Sequence, residues 1–151
     1  MPGEYRRSIV DDMTDRVSSE ERSRMMAAVR GTDTAPELYV RRQLFAAGFR
    51  FRLHVRALAG KPDVVLPRFR TAVFVHGCFW HGHCCARGKR PTSNVEFWQE
   101  KIDGNIRRDR KNRDALKAAG WSVAVVWQCR LESTTRALLK RLKLLSAAQC
   151  R

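Results

Sequence analysis

Between positions 76 and 85 the chain places three of its four histidines and three of its five cysteines. The string runs Val75-His-Gly-Cys-Phe-Trp-His-Gly-His-Cys-Cys85. Cys78, His83 and Cys85 are thiolate and imidazole donors on one loop, and Cys129, just after an apolar stretch, can supply a fourth. Three thiolates with one imidazole form a ligand set for structural zinc. The competing reading is that the cysteines are small buried hydrophobes, but a Gly-rich loop has little core pattern for them to serve. Cys84 beside Cys85 leaves the ligand register open, and Cys150 is assigned no role. With no export signal in the sequence, a disulfide framework is not expected.

Asp63 follows Gly60-Lys-Pro62 and opens a short apolar run. Alone, a Pro-Asp pair is a common turn element. The next apolar run ends at His76, however, so Asp63 and His76 can meet at one edge of a sheet. A carboxylate beside strand-end carbonyls suits Mg²⁺, which takes oxygen ligands and keeps waters for chemistry. Ile102, Ile106, Asp109, Arg113 and Leu116 recur at helical spacing, which puts Asp109 on the buried stripe of a helix. A buried acid needs a partner, and either Arg113 or a histidine at the sheet edge would serve. Glu37 stands third in a capping box, where the structural role leads, and is kept as a possible additional active-site acid. Phe79 and Trp80 sit between metal-type ligands in a basic loop, either as a minor core or as wedges that open a duplex. Phe97 and Trp98 open a helix and fit its core side.

The elements that must position these residues are legible from pattern. Residues 1–17 show no periodicity and read as a loose tail, in which Met13 is a second possible start. Residues 18–151 then read as a single domain. Ser18-Ser-Glu-Glu21 has capping-box spacing, with a helix expected to about Arg30, and Thr34-Ala-Pro-Glu37 opens a second helix that stops at Gly48. Phe49, Phe51, Leu53 and Val55 alternate with Arg50, Arg52, His54 and Arg56, the plainest strand signal in the chain. Short strands are expected over 63–66 and 71–75, then a long functional loop over 76–94. A helix over 95–119 ending at Gly120, a strand over 121–127 and a leucine-rich amphipathic helix complete the chain. This order implies α/β layers around a mixed sheet.

The chain has 151 residues, with 30 Lys plus Arg against 15 Asp plus Glu, a formal charge of +15. Residues 1–30 are balanced, so the whole surplus falls on the remainder. So one-sided a charge on a compact domain points to a polyanion, nucleic acid ahead of a membrane surface. No apolar run is long enough to span a bilayer, and a cytoplasmic address is expected.

Taken together, these strings resemble the very short patch repair (Vsr) endonucleases. The resemblance runs from about Asp15 to Leu131 and rests on Glu-Arg-Ser-Arg-Met-Met, Gly-Lys-Pro-Asp63-Val-Val, the 73–83 string, Phe97-Trp98, residues 105–110, Gly120-Trp-Ser-Val and Val-Val-Trp127-Gln-Cys129. It implies a restriction-endonuclease-like core, a structural zinc, and Mg²⁺-dependent nicking 5′ of the thymine in T:G mismatches left by deaminated 5-methylcytosine. By position, Asp63 and the main-chain carbonyl of Val75 are then the Mg²⁺ ligands, where some relatives carry threonine for Val75. His81, supported by Asp109, activates water or protonates the leaving group, with His76 beside the metal. Cys78, His83, Cys85 and Cys129 match the zinc ligands, Cys84 being a departure. Phe79, Trp80 and Trp98 match the aromatic wedge. The expected partner is double-stranded DNA with a T:G mismatch, the enzyme acts as a monomer, and other mismatch-repair proteins stay open as partners. Two alternatives remain: a zinc-stapled DNA-binding module without catalysis, and a restriction-type nuclease with another target.

Overall fold

The computed structural model describes Ser18, Glu20, Glu21, Arg24 and residues 31–149. The tail over 1–17 and Cys150 lie outside the described residues, as does most of the helix expected to Arg30. The capping box that opens that helix is present: Ser18 N–H donates to Glu21 Oε2 (3.1 Å) and Glu21 N–H to Ser18 Oγ (3.2 Å).

Helix α1 (Ala35–Ala46) starts where the second box places it, with Thr34 as N-cap accepting from the Glu37 N–H and Pro36 in the first turn. Glu37 does more than cap. Its carboxylate accepts from Asp33 N–H (2.9 Å), Thr34 Oγ1 (3.0 Å) and Arg41 Nη2 (3.2 Å), so this nearly inaccessible acid is fully engaged. Gly48, at φ +84°, ends the helix in the left-handed region.

The segment after α1 is not the strand its alternation implies. Phe49, Phe51 and Leu53 do pack on the core and Arg50, Arg52, His54 and Arg56 are exposed, so the two-sidedness is real. Only Arg52 pairs, through an antiparallel bridge to Val65. β1 (Val64–Leu66) offers just three residues of edge, and His54 at φ +54° turns the chain away. Side chains can alternate between core and water without a ladder of hydrogen bonds.

Among the described residues the sheet has three strands in the order β1-β2-β3. β2 (Thr71–His76) pairs antiparallel with β1 and parallel with β3 (Ser122–Trp127), giving a mixed sheet. As the middle strand, β2 is covered on both faces and reads as a continuous apolar run. Val73 joins Val64, Leu66 and Val126 against α1 and α3 (Leu131–Gln149), where Val40, Leu44, Leu138 and Leu142 complete the main core. Ala72 and Phe74 face the other way, onto Leu116 of α2 (Val95–Ala118). The protein is therefore a mixed α/β layer structure. No helix among the described residues is long and apolar enough to cross a membrane.

Arg70 joins two distant turns. Its backbone is left-handed (φ +44°), and its guanidinium donates to the carbonyls of Ala119 (2.8 Å) and Gly120 (3.1 Å), capping α2. The same side chain lies over the Trp121 ring, and its carbonyl accepts from Ser122 N–H (2.8 Å).

Candidate functional site

β2 and β3 run parallel, so their C-terminal ends lie side by side, and the loop after each carries the chemistry-bearing residues. A cleft of about 1100 Å³ opens there. Asp63, Val75, His76 and Gln128, at the strand ends, form its floor, and Phe79, Trp80, His81 and Asp109 line it together with Glu37, Arg41, His54, Arg56, Lys61, Arg87 and Lys101.

Asp63 is held by main chain. Its N–H donates to the Val73 carbonyl (3.0 Å), and its Oδ2 accepts from Val75 N–H (2.7 Å). Val73 and Val75 thus present their backbone to the β1 edge, where Asp63 sits. Burial pushes the Asp63 carboxyl up to about 6, against the stabilising Val75 bond, and nearby Glu37 adds to the rise. Among the described residues no ion pair involves it. A half-buried carboxyl without an ion-pair partner, facing a cleft, is a donor that a hard dication fits.

Three further groups converge beside it. His81 Nδ1 meets Asp109 Oδ2 at 2.6 Å, so of the two partners open to Asp109 the structure selects the histidine. The carboxylate can only accept, which fixes the proton on Nδ1 and leaves Nε2 for proton transfer. His76 stacks on His81 with ring centroids 3.7 Å apart and planes only 3° from parallel. Burial, then the neighbouring His81, lowers His76 to about 4, so it is neutral at neutral pH. The donor atoms of His76, His81 and Asp109 lie within 4.8 Å of one another. They are nonetheless poorly set for one cation, because an imidazole ligates in its own ring plane and these two planes run parallel and separate. The stack suits proton handling.

The loop over 77–94 is shaped around a second cluster. The ligand atoms of Cys78, His83, Cys85 and Cys129 also lie within 4.8 Å of one another. His83 Nδ1 is 3.6 Å from Cys129 Sγ. Tetrahedral zinc with Zn–S bonds near 2.3 Å needs sulfur atoms about 3.8 Å apart, so the donor set fits that ion. Cys84 is exposed and outside the cluster, whereas Cys85 lies within it. Burial raises the Cys78 thiol to about 12. Burial also acts upward on Cys85, but hydrogen bonds from His83, Cys78 and Cys129 bring it down to about 6. Gly88 closes the loop, since a Cβ there would stand 1.8 Å from the His83 carbonyl oxygen.

The aromatic residues divide. Phe79 and Trp98 are buried with Ile102 in a small core beneath the loop, their rings 5.3 Å apart edge to face. Trp80 packs on its margin, half-buried at the cleft, where Asn105 Nδ2 donates to its carbonyl (2.8 Å). Phe97, expected on the core side, is instead 58% exposed. Pattern alone missed Asn105 as an anchor, and missed Lys61 and Gln128 as cleft residues; an isolated polar residue in a helix or turn carries no periodic signal.

The model of the family described as DNA mismatch endonuclease Vsr matches residues 14–87. A type II nicking enzyme of Xanthomonas oryzae pv. oryzae, V.XorIIP, is 51% identical over 131 residues, which is 87% of this chain and 96% of that protein. The type II nicking enzyme V.NmeAIP of Neisseria meningitidis is 46% identical, over 80% of this chain and 86% of its own. The DNA mismatch endonuclease Vsr of Escherichia coli K12 is 40% identical over 135 residues, 87% of this chain and 86% of that one. Identity at this level across nearly whole chains, on a cleft floored by Asp63 and flanked by a His81–Asp109 pair, makes the chain a member of the Vsr family of DNA mismatch endonucleases.

Proposed function

We propose that this DNA endonuclease nicks one strand of a duplex 5′ of the thymine in a T:G mismatch, with Mg²⁺ as catalytic cation and zinc as structural ion on a restriction-endonuclease-like core. The observation that carries the reading is the placement of Asp63, His76 and the His81–Asp109 pair on one cleft beside half-buried Trp80. The names of the relatives, mismatch endonuclease and nicking enzyme, favour single-strand cleavage.

In this reading Asp63 and the main-chain carbonyl of Val75 hold Mg²⁺, which supplies charge stabilisation at the scissile phosphate and a more acidic water. Asp109 keeps His81 in the tautomer whose Nε2 moves the proton of water or leaving group. Neutral His76 stacks on that ring and holds its plane. Glu37, committed to Asp33, Thr34 and Arg41, acts on Asp63 through charge and is assigned no proton transfer. Cys78, His83, Cys85 and Cys129 hold zinc, which fixes the loop bearing Trp80 and His81. Trp80 is the wedge residue at the cleft, with Phe79 and Trp98 as its support. A strand-labelled nicking assay with Mg²⁺ on T:G and T:A duplexes tests the proposal. Nicking confined to the thymine strand of T:G is expected, and equal cutting of T:A, or none of T:G, defeats it.

A further inference from the structure

The lining of the cleft joins Phe79, Trp80 and the proton-transfer pair to basic side chains, His54, Arg56 and Lys61 together with Arg87 and Lys101. His54 and Arg56 stand on the segment that mimics a strand. Phe51 and Leu53 anchor that segment in the core, and Arg52 clips it to Val65 through two backbone bonds of 2.8 and 2.9 Å, two residues from Asp63. The four-position cationic row is thereby divided. Arg50 turns back over the Phe45 ring at 4.9 Å and does not line the cleft, whereas His54 and Arg56 do. Arg41, which also lines the cleft, is already engaged by Asp33 (2.6 Å) and Glu37 (3.2 Å). Arg56 and Lys61 are exposed, and among the described residues neither has an acidic partner. Each is therefore a cation at the cleft with its charge uncompensated, on a short tether to the carboxyl on the floor.

We infer that Arg56 and Lys61 form a phosphate grip that holds the DNA backbone in the cleft that Trp80 also lines. This deepens the endonuclease reading and rests on it. Phosphate contacts fix register without reading sequence. The grip should therefore serve matched and mismatched duplex equally, leaving discrimination to the aromatic residues.

The test measures binding of zinc-loaded protein to matched and T:G duplexes across a salt series with Mg²⁺ omitted, so no cleavage intervenes. Each cation that neutralises a phosphate contributes about 0.9 to the slope of log affinity against log salt. The double variant Arg56→Gln, Lys61→Gln should flatten that slope by about 2 and weaken binding by about tenfold per lost contact on both duplexes. Arg56→Lys, which keeps the charge, should keep the slope. The control removes the same charge from the exposed face of α3, by Arg136→Gln and Lys140→Gln, outside the cleft, and should leave the slope nearly unchanged. An equal loss in the control assigns the effect to net charge and overturns the grip, as does an unchanged slope in the double variant. A loss confined to the T:G duplex also overturns it. Because binding is read without nicking, these outcomes are independent of whether the wild-type protein cuts T:G.

Discussion

Asp63→Asn should make the protein more stable while ending its nicking. The carboxyl is raised from 3.8 to about 6, with burial as the main cause. At about 1.4 kcal/mol per pH unit, that difference makes the ionised folded state cost about 3 kcal/mol relative to a neutral side chain. Asparagine has the same shape, and its oxygen can still accept the Val75 N–H that Oδ2 accepts at 2.7 Å. Because the folded value lies above the unfolded one, the native state binds more protons between pH 4 and 6, and the parent loses stability as pH rises through 6. The gain on substitution should therefore be full, about 2–3 kcal/mol, near pH 8 and fall to about half by pH 5. For a chain of this size that is roughly 5–10 °C in melting temperature. Thermal melts of zinc-loaded protein, with Mg²⁺ omitted, at pH 8 and pH 5 measure it. A variant that melts no higher than the parent at pH 8, or a gain independent of pH, would show that burial does not burden this carboxyl. Retention of nicking by the variant would remove Asp63 from metal binding.

Asp109→Asn should slow nicking on the order of a hundredfold with duplex binding kept, since it disturbs the His81 tautomer; an unchanged single-turnover rate sinks the pair. Cys129→Ser should yield protein without stoichiometric zinc by metal analysis and with a lower melting temperature, because the four ligands converge only in the fold. Zinc retained at full stoichiometry would refute that ligand. Trp80→Ala should reduce the preference for T:G over T:A at least several-fold, given stacking of about 1–3 kcal/mol per base. Full discrimination in a folded, zinc-loaded variant would end the wedge proposal.

The helices α1 to α3 and the three strands were legible because each is marked by a cap, a glycine stop, an unbroken apolar run or a leucine-rich amphipathic pattern, signals that act within a few residues. The segment over 49–56 was not, for a physical reason. Alternation records which side chains meet the core, whereas a strand also needs a partner of matching length, and three-residue β1 does not provide one. Asp109 was legible as an acid on the inward stripe from its place among Ile102, Ile106 and Leu116, and is half-buried there, but its choice of His81 over Arg113 depends on where the loop after β2 falls. Which of Cys84 and Cys85 joins the cluster likewise depends on the loop's turn, which leaves Cys84 exposed and brings Cys85 to the other three ligand atoms. Phe97 and Trp98 were both expected on the core side, and only Trp98 is there, for the same reason: adjacent helix positions differ by about 100° in direction, and only packing says which points inward.

The bonds that Arg70 makes lie at the end of the sheet remote from the cleft. They act at the first paired residues of the two parallel strands, Thr71 and Ser122. Alignment set there is inherited by every later pair, down to His76 opposite Trp127, about 17 Å away along the strand. A slip by one residue would reverse which face each side chain occupies and carry His76 off the cleft floor. Distance from the DNA is thus no guide to tolerance in this protein. An unbiased screen for variants that fold but fail to nick should recover changes at position 70, and they should resemble catalytic lesions in every assay except the one that locates them.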